Sequence, residues 1–166
     1  MINHFLLLLL LILPAISVES QPRTQWPKFK GAYFEINYPP GFRARQSLAS
    51  NSFEGQFDSA FFTAPDGSVE FYVFSPLWNG QPEDIERNPA IEDVVSEQSE
   101  LKGALKTRRV TLKAKDNSYL RSFEDTENTE TNTRKVFGIK YKDQTAYSKY
   151  RSQYLRFKQS LRQFSD

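Results

Sequence analysis

Ser99 and Lys102 stand at the S-x-x-K spacing, at which a lysine can activate a serine nucleophile. The partner elements S-D-N and K-T-G are missing, and Lys106-Thr107-Arg108 is only a partial echo of the second, so the spacing reads as coincidence. Nucleophilic catalysis by Ser or Cys with an imidazole base needs a histidine within hydrogen-bond reach. The only histidine is His4, inside an apolar leader, and the chain has no cysteine. Those hydrolase classes, zinc ribbons, thiol chemistry and disulfide staples are excluded for the body of the protein.

Carboxylates are plentiful. Glu83, Asp84, Glu92 and Asp93 fall in a stretch with seven acids between positions 83 and 100, against Arg87 alone before Lys102. Two carboxyl groups about 5–9 Å apart would suit glycoside hydrolysis, but nothing in the sequence builds a cleft around such a pair, and a solvated face is the expectation. Asp125, Glu127, Asn128 and Glu130 offer hard oxygen ligands without the glycine or the spacing of a calcium hand, and read as a polar loop. No cofactor or metal is expected. For partner binding, the candidates are Trp78, in a loop bounded by Pro76 and Gly80, and the basic series Lys149, Arg151, Arg156, Lys158 and Arg162. Tryptophan is enriched at binding hot spots. The basic series meets no carboxylate between Asp143 and Asp166, so it can face an anionic partner or simply solvate the outside of a helix.

The elements that must position these residues follow from periodicity. Phe5 to Leu13 is an unbroken apolar run, followed by Pro14 and the small residues Ala15 and Ser17. It reads as a secretory signal over residues 1–20, too short to span a bilayer and cut near residue 17–20. An exported protein, periplasmic or extracellular, is expected. The net charge of +2 is too small to argue for nucleic-acid binding. Residues 21–31 read as a polar lead-in, and 32–166 as a single domain.

In Tyr33–Tyr38 the residues Phe34, Ile36 and Tyr38 alternate with Glu35 and Asn37, the period of a half-buried strand, which Pro39-Pro40-Gly41 stops. Ser59–Ala64 and Ser68–Phe74 flank Pro65-Asp66-Gly67 and form a hairpin, with aromatics on both faces. After Asn88-Pro89, the spacing of Ile91, Val94, Val95, Gln98 and Leu101 predicts an acidic helix. Thr107–Lys115 and Ser118–Glu124, joined by Asp116-Asn117, form a second hairpin. Asp125–Thr133 is a solvated loop, and Arg134–Tyr141 a last strand. Asp143 caps a long C-terminal amphipathic helix with a stripe at Tyr147, Tyr150, Tyr154, Phe157, Leu161 and Phe164. The sum is an α+β domain: an antiparallel sheet of about six strands flanked by the acidic helix and the C-terminal helix.

Phe34-Glu-Ile-Asn-Tyr-Pro-Pro-Gly-Phe42, Phe62-Thr-Ala-Pro-Asp-Gly67 and the terminal Phe157-Lys-Gln-Ser-Leu161 resemble the PsbP-like superfamily. That resemblance implies a sheet-and-helix sandwich and an accessory or binding role rather than an enzyme. The superfamily includes extrinsic photosystem II subunits and many exported bacterial proteins. The metal-binding histidines of the plant photosystem proteins have no counterpart here. The expected function is an exported, non-catalytic accessory or binding protein acting on a protein or envelope component. The alternatives are a carboxylate-dependent glycan hydrolase and an anionic-lipid-binding envelope protein.

Overall fold

The computed structural model describes residues 25–164. The leader and its cleavage region lie outside the described residues. Ten strands and one helix follow in order: β1 (Lys28–Lys30), β2 (Phe34–Asn37), β3 (Arg43–Gln46), β4 (Ser59–Thr63), β5 (Val69–Phe74), β6 (Glu92–Lys102), β7 (Leu105–Ala114), β8 (Leu120–Asn128), β9 (Thr133–Tyr141), α1 (Gln144–Gln159) and β10 (Arg162–Gln163). Seven strands form one antiparallel sheet in the order β3-β4-β5-β9-β8-β7-β6, and β1 and β10 flank β2 in a small second sheet. The class is α+β, with seven strands in the main sheet rather than six.

The β4–β5 hairpin turns at Gly67 (φ 67°), and Asp66 accepts from the Ser68 amide at 3.0 Å, so the Pro-Asp-Gly signal acts as expected. Asp143 caps α1 by accepting from the Ala146 amide at 2.8 Å. Ala146, Tyr150, Tyr154 and Phe157 form the buried stripe of α1. Leu161 and Phe164 lie past its end, because the chain leaves the helix at Ser160 and joins β2 as β10.

The acidic helix does not exist. Its residues form β6, the edge strand, preceded by one 3-10 turn at Glu83–Ile85. A bulge explains the false helical spacing. The pairing of β6 with β7 shifts between Val94 and Ser96, so Val95 is an extra residue, and two adjacent valines imitate an i, i+3, i+4 stripe. Gly103 (φ 59°) and Ala104 then form the tight turn that reverses β6 into β7. The acidic-threonine loop is also shorter than expected. β8 continues to Asn128 and β9 starts at Thr133, with Asn132 (φ 51°) in the turn, because Asp125 and Arg134 pair across the two strands at 2.8 Å.

The sheet has a core on each face. Under α1, Phe157 packs on Phe62, Phe71 and Phe137, with ring centroids 5.2, 5.3 and 6.2 Å away. On the other face, Tyr72, Phe74, Val110, Leu112, Phe123 and Val136 form a second cluster, against which Ile85 packs. The cover on that face is not a helix. It is the segment between β5 and β6, residues 75–91.

Candidate binding cleft

The covering segment is held by buried charge. Glu92, 2% exposed, lies where this segment enters β6. Arg121 of β8 donates to its two carboxylate oxygens from Nε at 2.6 Å and Nη2 at 2.7 Å, a bidentate pair. The Tyr119 hydroxyl and the Asn88 amide complete the cage at 2.9 and 3.1 Å. Arg121 also donates to the carbonyls of Ile85 and Glu86 at 3.0 and 2.9 Å, so one guanidinium ties the acid and the 3-10 turn together. Burial pushes the Glu92 carboxyl up, but the hydrogen bonds from Arg121, Asn88 and Tyr119 outweigh it and hold the group below the usual carboxylate range.

Two further contacts fix the segment. Asp84 accepts from Ser59 Oγ at 2.7 Å and from the Tyr72 hydroxyl at 2.6 Å. Burial, with the Asp84 charge beside it, pushes the Tyr72 phenol far up, so its proton stays on the oxygen that donates. Arg134, paired with Asp125, donates to the Gly80 carbonyl at 2.9 Å.

Between these ties the segment stands off the sheet and leaves two cavities that share Ile85, Glu86 and Phe123 as a divider. One, of about 270 Å³, holds the Glu92 cage and is walled by Phe61 and Tyr72. The other, of about 320 Å³, has an apolar floor of Val94, Val110, Leu112 and Val136 and a rim of mixed charge, with Arg87, Arg108 and Arg134 beside Glu86, Glu97 and Asp125. Arg108 is engaged with Glu97 at 2.7 Å and Arg134 with Asp125, while Arg87 donates from Nε and Nη2 to the Glu92 carbonyl. Such a cavity suits an apolar group with a polar edge.

General-acid chemistry wants a carboxyl raised towards neutrality in a cleft. Among the described residues the acid raised by burial is Asp58, which lines neither cavity. Among the expected glycosidase acids, Glu83 and Asp93 are exposed, Asp84 is hydrogen-bonded to Ser59 and Tyr72, and Glu92 is ion-paired. Among the described residues no group of three or more His, Cys, Asp or Glu is arranged to hold a metal ion.

The residues picked from the sequence do not converge. Trp78 is half-buried, with its ring edge-on to Tyr33 at 5.5 Å. On α1, at about 100° per residue, Lys149 and Arg156 fall on one flank and Arg151 and Lys158 on the opposite flank. The outermost ridge between them is Ser148, Ser152, Leu155 and Gln159, without charge. Lys149 pairs with Asp66 at 2.7 Å, Arg156 lies 4.2 Å over the Trp26 ring, and Lys158 reaches Glu124 at 2.6 Å. Arg162 sits in β10 opposite Glu35, and Arg151 is exposed. The cleft residues Arg87, Glu92, Tyr119 and Arg121 carried no such signal, since Glu92 and Arg121 stand 29 positions apart and meet only through strand register.

No family model and no curated protein matches the sequence. Among solved structures, the chain is similar to the solution structure of cyanobacterial PsbP from Synechocystis sp. PCC 6803, at 9% identity and a TM-score of 0.51, covering 89% of this chain and 98% of that one. A more remote likeness is to the Ran-binding protein Mog1p of Saccharomyces cerevisiae, at 12% identity and a TM-score of 0.41, covering 83% and 96%. The first likeness establishes a PsbP-like fold.

Proposed function

We propose that this PsbP-like domain is an exported, non-catalytic binding or accessory protein, and that it engages a protein or another envelope component through the cleft under residues 75–91. The observation that carries the reading is the state of the cleft. Its buried acid is neutralised by a bidentate arginine and held in the charged form, while the neighbouring cavity presents an apolar floor under a rim of mutually paired charges. This arrangement favours holding a ligand over moving protons. The leader supports export.

The test places a photo-crosslinking residue at position 108, on the cleft rim, or at position 151, on the helix. The full chain is expressed in its native envelope fraction. Adducts to a discrete partner from position 108 are expected, and mature protein should begin near Gln21 by intact mass. Adducts from position 151 alone would move the binding surface to the helix. Hydrolysis of envelope glycans by the purified protein, lost on Glu92→Gln, would overturn the non-catalytic reading.

A further inference from the structure

We propose that two copies of the chain join edge to edge through β6, merging their seven-stranded sheets into one continuous sheet about a two-fold axis at Gln98. The seven-stranded sheet has two ends, and they differ. One is β3, of four residues, and the other is β6, of eleven. Strands at an edge present a row of unpaired backbone donors and acceptors and are usually kept short for that reason. β6 is long and almost wholly exposed. Large apolar side chains stand on it and on its hairpin partner, with Val94 42%, Val95 56%, Leu101 71% and Leu105 46% exposed. Proteins of this size normally scatter such side chains, whereas here four fall on one hairpin.

The residue order of β6 selects the occupant. Antiparallel pairing places directly opposite residues on the same face of the sheet. With the bulge at Val95, Val94, Glu97, Ser99 and Leu101 share the face of the cleft, and Asp93, Ser96, Gln98, Glu100 and Lys102 the face of α1. An axis at Gln98 therefore sets Gln98 on Gln98, Glu97 on Ser99 and Ser96 on Glu100. Beyond the bulge, it sets Val94 on Leu101 and Asp93 on Lys102. Apart from the bulged Val95, each apolar residue of β6 meets an apolar one and the terminal charges meet their opposites, twice over by symmetry. Moving the axis to Glu97 sets carboxylate on carboxylate, and moving it to Ser99 breaks both the Val94–Leu101 and the Asp93–Lys102 matches. A bulge and three exposed carboxylates guard this edge against unrelated strands. The same features are self-complementary for a second copy. In the pair, Leu101 of the second copy stands beside Val94 at the outer edge of the cleft floor, so the mate extends that floor.

The chain has no cysteine, which makes the test direct. Residues directly opposite in an antiparallel pair lie about 4.5–5.5 Å apart at Cα, within the range a disulfide spans. Gln98→Cys is expected to oxidise to a covalent dimer, while Gln159→Cys on the outer ridge of α1 stays monomeric. Unmodified protein should show concentration-dependent dimerisation by sedimentation velocity. Asp93→Lys alone and Lys102→Asp alone should each weaken it roughly tenfold, and the two together restore it. Circular dichroism on each variant separates loss of pairing from loss of fold. Ser99→Pro, which removes a backbone donor from an exposed position, gives a second route. A monomer at every concentration, cross-linking through Gln159→Cys but not Gln98→Cys, or failure of the charge swap to restore pairing would overturn the proposal.

Discussion

Glu92 shows how a single side chain decides between chemistry and architecture. A carboxylate this buried would be a strong acid candidate if it were alone, because desolvation favours its neutral form. Arg121, itself only 14% exposed at the side chain, reverses the balance. Breaking such a pair from one side leaves an uncompensated buried charge, so Arg121→Ala is expected to destabilise the fold by about 3 kcal/mol in urea titrations near neutral pH. The pH dependence has a definite sign. The folded carboxyl lies below its ordinary value of 4.5, so its contribution is fully present above that value and is lost as the pH falls through the lowered one. In Arg121→Ala this acid-side loss should shrink or reverse. The Asp143 cap was legible, because capping is a contact over three residues. The Glu92–Arg121 pair was not, because it is made by strand pairing across two hairpins.

At the scale of elements, the hairpin at Pro65-Asp66-Gly67, the strand before Pro39 and the cap and stripe of α1 followed from local rules. Each is short-range and buries at least one face. β6 failed that test on both counts. Ten of its eleven residues are exposed, so no alternation marks a buried side, and the bulge shifts the valines into helical spacing. β1, inside the stretch read as a lead-in, is recognisable only by Phe29, which stacks on Phe34 at 5.9 Å. Gly138 in β9 makes the inter-strand packing testable. A Cβ there would lie 2.5 Å from the Phe123 ring and 3.1 Å from Tyr72 Cβ, in the cluster beneath residues 75–91. Gly138→Ala should therefore cost about 1–3 kcal/mol by thermal or urea unfolding, more than an exposed strand glycine would, because the ring must leave its place across the strand.

For the whole molecule, the two faces of the sheet are finished differently. A helix closes one with aromatic packing, and an irregular segment pinned by buried ion pairs covers the other. Periodicity exposes the first kind of cover. Pinning of the second kind depends on partners distant in sequence, so the class was readable and the cleft was not. The small sheet carries a further consequence. β1 and β10 lie on either side of the same four-residue strand, with Lys28 opposite Asn37 and Gln163 opposite Phe34, so the two are separated by two strand spacings across the sheet and about three residues along it, roughly 14 Å. Among the described residues, both ends of the fold therefore lie on one small sheet. Joining Gln163 to Lys28 by a glycine-serine bridge of about eight residues, long enough to cross β2, and opening the chain at the Thr129–Asn132 turn should give a rearranged sequence that still refolds reversibly, with a native-like far-ultraviolet spectrum. Trimming the chain after Gln159 should instead leave β2 bare along one side.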